Sequence, residues 1–223
     1  MISIVGLGVV NVDQVTPQVR DALRRAAHIL YRDRGLATDA FLRSLGPPVT
    51  RLDPDASPDA LAAQILDAAL TDGDVALALS GHPTLGEPLT AKIHDAAAVL
   101  QVPLRVVTGP SSLDAVLATV LLDPLAGGLQ LFSAQDLVNQ RRTLLTDVPL
   151  CVFGAAQRTP STGAHFQPLR DHLLQFWEPS HPCLAVHAAS HPLATPAVHR
   201  FSLGELCAWG PTLHPDVTLV VPV

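Results

Sequence analysis

Residues 73–83 read Gly-Asp-Val-Ala-Leu-Ala-Leu-Ser-Gly-His-Pro. Gly73-Asp74 is a turn signal, and the five apolar residues that follow it show no polar alternation. An unbroken apolar run of this length marks a strand covered on both faces, as at the centre of a parallel sheet flanked by helices. Gly81-His82-Pro83 then falls at the carboxyl end of that strand, the edge where open α/β sheets hold their ligands.

The pattern extends in both directions from this strand. Upstream, Ser57-Pro58 reads as a helix cap followed by a first-turn proline, with Leu61, Ile65, Leu66 and Ala69 at helical spacing. Residues 2–5 form a first strand ending in Gly6-Leu7-Gly8, and Thr16-Pro17 repeats the cap-then-proline start before Val19, Leu23, Ala26, Ala27 and Leu30. A second strand is predicted at 27–31, a short helix at 38–45 and a weak third strand at 49–52. Downstream come a helix at 89–100 and a strand at 104–107 that ends in Gly109-Pro110-Ser111-Ser112. Strand, loop and helix alternate, which predicts a parallel wound sheet in an α/β fold. After about residue 116 the texture changes. Strands are predicted at 129–132, 150–153, 184–187 and 217–221, with a helix at 169–176 and a short one at 203–207. Dense proline from Pro160 onward points to long loops and some antiparallel pairing. The organisation expected is two lobes, 1–115 and 116–223.

Composition removes several classes of function. Of 223 residues, 48% are hydrophobic but only 4% aromatic, so the core rests on Ala, Val and Leu. The net charge is −6 and Lys92 is the single lysine, which leaves no basic run to track phosphates and no glycine–lysine P-loop. Nucleic acid is therefore not expected as a partner. Asn11 stands where a third glycine would complete a dinucleotide fingerprint, which disfavours a nicotinamide-dependent oxidoreductase. Cys151, Cys183 and Cys207 are odd in number and far apart, as expected of free thiols in a reducing compartment. The amino terminus has no basic segment before a long apolar one, and the most apolar stretch, 113–125, contains Asp114, Asp123 and Pro124. A cytoplasmic protein with no membrane partner is expected. No Gly-x-Ser-x-Gly elbow supports a hydrolase. His181, Cys183, His187 and His191 lie close together, but the even spacing of the first three is that of one strand face rather than of a zinc motif, so no metal is assigned.

Taken in order, Gly6-x-Gly8, Gly81-His82-Pro83 and Gly109-x-Ser111-Ser112 resemble the tetrapyrrole (corrin/porphyrin) methylase family. Asp123-Pro124-Leu125-Ala126-Gly127-Gly128-Leu129-Gln130 with Ala134-Gln135-Asp136-Leu137 resembles the branch holding methylase domains attached to MazG-type pyrophosphohydrolases and the borosin-type peptide backbone N-methyltransferases. His181-Pro182 through His187-Ala188-Ala189 is similar to the penultimate strand of that branch. The resemblance covers essentially the whole chain. It implies a two-lobed fold, an N-terminal parallel wound sheet and a C-terminal mixed α/β lobe, with S-adenosylmethionine in the cleft between them. By motif position the cofactor would meet His82, Pro83, Leu85, Ser111 and Ser112 from the first lobe. From the second it would meet Phe153, Gly154 and Ala155, with His187, Ala188 and Thr218 closing the adenosine pocket. Family members are usually homodimers, so a homodimer is expected.

The implied chemistry is in-line displacement at the sulfonium, accelerated chiefly by holding nucleophile and methyl group in line. The acceptor would be a tetrapyrrole-like small molecule or a peptide. No base is assigned; Asp13 and Tyr31 are the residues considered. Two features depart from the family pattern. The first loop reads Gly6-Leu7-Gly8-Val9-Val10-Asn11 where many members have Gly-x-Gly-Pro-Gly-Asp. Arg51 lies where borosin-type enzymes also carry tyrosines, yet the only tyrosine is Tyr31. These departures keep a second reading open, a degenerate ligand-sensing or partner-binding domain that retains the fold without turnover.

Overall fold

The computed structural model describes residues 1–32, 36–156, 166–188, 195–214 and 216–223. The chain divides into two compact units, Met1–Asp114 and the described residues from Ala115 onward.

The first unit is built on five strands: β1 (Ile2–Gly6), β2 (His28–Tyr31), β3 (Val49–Arg51), β4 (Val75–Leu79) and β5 (Leu104–Val107). They lie in the order β3-β2-β4-β1-β5, and every pairing is parallel. The apolar run of β4 is explained by its two covered faces. Val75, Leu77 and Leu79 join Ile2, Ile4 and Leu30 in a core with Leu61, Ile65 and Leu66 of α3 (Pro58–Thr71) and Leu89 and Ile93 of α4 (Pro88–Val99). Ala76 and Ala78 turn the other way, toward Val19 and Leu23 of α1 (Pro17–Arg25) and Phe41 and Leu42 of α2 (Leu36–Arg43). Both cap signals fold as expected. Thr16 Oγ1 accepts from Val19 N at 3.3 Å, and Ser57 Oγ from Ala60 N at 3.2 Å.

The second unit carries β6 (Gln130–Ser133), β7 (Leu150–Phe153), β8 (Pro182–His187), β9 (Ala197–Ser202) and β10 (Thr218–Val221), in the order β6-β7-β10-β8-β9. Only β6–β7 is parallel, so this sheet is mixed. One face packs Leu150, Val152, Cys183, Ala185, Leu219 and Val221 against Leu137 of α7 (Ala134–Gln140) and Leu169 and Leu173 of α8 (Gln167–Leu173). The other packs Cys151, Leu184, Val186 and Val220 against Val116 and Val120 of α5 (Ser112–Val120).

Several elements differ from the sequence expectation. Residues 112–120 form α5, and 124–127 a single helical turn, α6 (Pro124–Gly127). The predicted helix at 203–207 is a 3₁₀ turn, Leu203–Glu205, continuing into α9 (Leu206–Trp209). Strand β9 is an addition. The thiols of Cys151 and Cys183 are buried, and burial pushes them up to about 11 and about 12, so both are chemically quiet. Among the described residues no helix is long and apolar enough to cross a membrane.

Candidate functional site

Three loops meet at the carboxyl ends of β1, β4 and β5. A Cβ added at Gly6 would stand 2.8 Å from Gly109 N and 2.8 Å from Pro83 Cδ, and closer still to Gly81 O. One added at Gly109 would stand 2.7 Å from Gly6 C and 3.1 Å from Gly8 N. The glycines at 6 and 109 are therefore required by backbone packed on backbone. Hydrogen bonds tie the junction together, Leu7 N donating to Leu79 O at 2.8 Å and Gly81 N to Gly8 O at 2.9 Å. Gly81 is different. Its φ is +70°, and the space where a Cβ would lie is open.

The named side chains of the first unit are held firmly around this junction. Pro83 is buried, and its carbonyl accepts from the Thr90 hydroxyl of α4. The half-buried His82 takes Thr84 N on Nδ1 at 3.3 Å, and Leu85 N donates to His82 O at 3.2 Å. Ser111 is buried, and both its N and Oγ donate to Asp114 Oδ2 at 2.6 Å. Asp114 N donates back to Ser111 Oγ at 3.1 Å. Ser112 follows, half-buried, as the first residue of α5.

The hydrogen bonds from the Ser111 side chain and backbone hold the Asp114 carboxyl below the usual carboxylate range, and the nearby His82 adds to the effect. A depressed carboxyl stabilises the fold fully above its unfolded value, about 3.9, and loses that contribution as pH falls through the folded value. The gap in urea midpoint between the native chain and Asp114→Asn is thus expected to stay constant from pH 8 to 5. Below about pH 4 it is expected to close.

The first loop owes its shape to Gln14, which the sequence reading passed over. Gly8 has φ +84°, and the Gln14 side chain occupies the space beside it. Gln14 Oε1 accepts from Val9 N at 2.6 Å and Val10 N at 3.0 Å, so the altered loop satisfies its amides internally. Its signal was a lone amide side chain six residues after a glycine, too common to single out.

In the second unit, the expected cofactor residues gather at one end of the sheet. Ser133 pairs with Phe153 at the carboxyl ends of β6 and β7. Thr218, at the start of the antiparallel β10, pairs with Val186, next to His187 at the end of β8. Ala188 follows, buried. Phe153, Gly154 and Ala155 also line a cleft of about 450 Å³ with Ser133, Gln135 and Asn139. Gly154 has φ +71°. The His187 ring is 4.1 Å from the His214 ring, centroid to centroid, and its Nε2 is buried without a hydrogen-bond partner among the described residues. Burial lowers the His187 pKa, and the neighbouring His214 lowers it further.

The histidine run is not brought together. His181 Nε2 lies 2.9 Å from Pro222 O and its ring packs near Trp177, while Cys183 is in the core. Ala189 and His191 lie outside the described residues. Neither residue considered as a base is set up for it. Asp13 is exposed in a 3₁₀ turn. Tyr31 is buried, and its hydroxyl donates to Asp39 Oδ1 at 2.5 Å. Burial first, and then that bond, raise its pKa, the wrong direction for a base.

Residues 1–207 match the sequence profile of the Tetrapyrrole (Corrin/Porphyrin) Methylases. The chain belongs to this family. No curated protein matches it closely enough in sequence to serve as a relative. Among solved structures, the tetrapyrrole methylase fold is shared with a uroporphyrin-III-C-methyltransferase from Thermus thermophilus at TM-score 0.75 and 19% identity, over 99% of this chain and 90% of that one. A structure of uroporphyrin-III C-methyltransferase from Thermus thermophilus, complexed with S-adenosylhomocysteine, gives 0.72 and 20% over 99% and 96%. Diphthine synthase gives 0.70 and 17% over 99% and 88%. As a tetrapyrrole methylase, the chain is an S-adenosylmethionine-dependent methyltransferase by family. The segment that suggested a narrower branch has a local folding explanation here. Asp123 caps α6, accepting from Leu125 N at 2.9 Å, Gly128 ends it at φ +86°, and Ser133 caps α7, accepting from Asp136 N at 3.0 Å.

Proposed function

We propose that the chain transfers a methyl group from S-adenosylmethionine to a small molecule or peptide carrying few carboxylates. The observation that carries this reading is the junction of three loops at the carboxyl ends of β1, β4 and β5, where Gly6 and Gly109 pack backbone on backbone and Gly81 leaves open space next to His82. A cofactor rich in hydrogen-bonding edges suits such a cradle, since glycine lets main-chain groups approach it closely. His82, Pro83, Leu85, Ser111 and Ser112 would hold it in the first unit, and Phe153, Gly154, Ala155, His187, Ala188 and Thr218 in the second. The bound cofactor supplies an activated methyl on sulfur; the chain's own residues bind and orient.

The preference for an acceptor of low charge comes from three arginines of the first unit. Arg32 is committed to Glu87 at 2.8 Å and Arg43 to Asp39 at 2.8 Å, while the Arg20 guanidinium lies 5.2 Å from the centre of the Phe41 ring. A macrocycle with many carboxylates would want several arginines free to fork onto them. The narrower placement beside MazG-attached and borosin-type enzymes rests on the sequence motifs at 123–137 and 181–189. A cytoplasmic homodimer belongs to the same proposal, and sedimentation velocity on the purified chain tests the dimer.

Calorimetric titration with S-adenosylmethionine and S-adenosylhomocysteine tests the cofactor site. One saturable site per chain is expected, with affinity at least about tenfold weaker in the His82→Ala, Ser111→Ala double variant, or about 1.4 kcal/mol. Absence of binding to either ligand would overturn the proposal. The internally satisfied first loop, with Gln14 on Val9 and Val10, favours one competing reading, a ligand sensor without turnover. It predicts cofactor binding with no methyl transfer to any acceptor.

A further inference from the structure

We propose that His187, His214 and Asp216 form a binding site for one divalent transition-metal ion, with Zn²⁺ the best chemical match. The inference stands on the second unit alone; it shares His187 with the proposed cofactor site, and its test reads metal binding rather than cofactor binding or methyl transfer. One ligand atom from each of the three side chains can be chosen so that all lie within 4.8 Å of one another. Around a tetrahedral zinc with bonds of about 2.0–2.2 Å, neighbouring ligand atoms are separated by about 3.3–3.6 Å. The remaining approach is within the reach of side-chain rotation. His214 and Asp216 are exposed and already face each other, His214 Nδ1 lying 3.7 Å from Asp216 Oδ2, whereas His187 is anchored at the end of β8, paired with Ala197 of β9.

Two further observations point to an ion. His187 Nε2 is buried and has no hydrogen-bond partner among the described residues, although an imidazole nitrogen withdrawn from water ordinarily finds one. The two imidazole rings lie 4.1 Å apart at 37°, with a carboxylate beside them, so two nitrogen donors and one oxygen donor share a small volume. Asp216 N donates to His214 Nδ1 at 3.2 Å, which ties these two residues to each other. Two imidazoles and a carboxylate suit zinc, cobalt or nickel, whereas magnesium and calcium prefer oxygen donors throughout. Three protein ligands leave a fourth position for water or an added anion. A bound ion would clamp His214 and Asp216 to the end of β8, beside Ala188 and Thr218.

The test is calorimetric titration of the tag-free, EDTA-stripped full chain with ZnCl₂, and separately with MgCl₂. One Zn²⁺ per chain is expected, with affinity at least tenfold weaker in each of His187→Gln, His214→Gln and Asp216→Asn. His94→Gln, a control at an exposed histidine paired with Asp95 in the first unit, is expected to leave it unchanged. Because His214 and Asp216 are exposed, their variants keep the fold intact even if His187→Gln does not. With Co²⁺, visible absorption of a four-coordinate site is expected in the native chain and lost in His214→Gln. The proposal is overturned if no stoichiometric zinc binding is seen. It fails equally if Mg²⁺ binds as tightly as Zn²⁺, or if His214→Gln and Asp216→Asn bind like the native chain.

Discussion

Gly109→Ala is expected to lower the unfolding free energy by about 1–3 kcal/mol, the range for forcing extra volume into a packed interior. It is also expected to weaken S-adenosylhomocysteine binding at least about tenfold, or 1.4 kcal/mol. The added methyl would lie against Gly6 C, Gly6 O and Gly8 N, atoms of a strand end and loop held by paired backbone. A flexible side chain could swing aside, but these atoms can move only by displacing β1 relative to β5. Gly81→Ala makes the informative comparison. There the methyl meets nothing within 4 Å, and the cost is the left-handed φ of +70°, about 1–2 kcal/mol. Urea denaturation and calorimetry on both variants separate the two causes. A Gly109→Ala protein that matched the native chain in stability and affinity would show that the loops do not pack as described.

Leu77→Ala is expected to cost about 2–5 kcal/mol, the largest single effect in the first unit. Leu77 is fully buried on β4, between β1 and β2, in the core shared with α3 and α4. A cavity there has strands on both sides and helices above, so little can collapse into it. Against a typical total of about 5–15 kcal/mol, the loss would bring the unit close to unfolding at ordinary temperature. Urea denaturation followed by circular dichroism measures it, and a loss below about 1 kcal/mol would contradict the described burial.

The two covered faces of β4 explain why so much of the first unit was legible. A strand covered on both faces must be apolar throughout, and its helices announce themselves through Thr16-Pro17 and Ser57-Pro58. The three glycine loops were legible for the same reason, because parallel strands put them all at one edge. In the second unit such signals are weaker. Strand β9 lies at the sheet edge, and of its residues only Phe201 is buried, so Ala197–Ser202 carries neither an apolar run nor a clean alternation. The short helix α5 begins with Ser112-Leu113-Asp114, where the Ser111–Asp114 capping interaction is visible only once hydrogen bonds are placed. The pairing of His187 with His214 joins residues 27 positions apart across the β8–β10 sheet edge, a distance that no local spacing rule spans. Gln14 escaped for a related reason, since its role depends on where Gly8 turns.

Both tryptophans of the chain, Trp177 and Trp209, belong to the second unit, Trp177 in its core and Trp209 stacked 5.9 Å from Phe201. Tryptophan emission, excited selectively over the lone Tyr31, is therefore a one-sided lamp: it lights the mixed sheet and leaves the parallel sheet dark. Emission followed through a denaturation series counts molecules whose second unit has opened, whatever has become of the first. Circular dichroism draws on the helices of both. Overlaid on one sample, the two signals time the halves against each other without a label or a mutation.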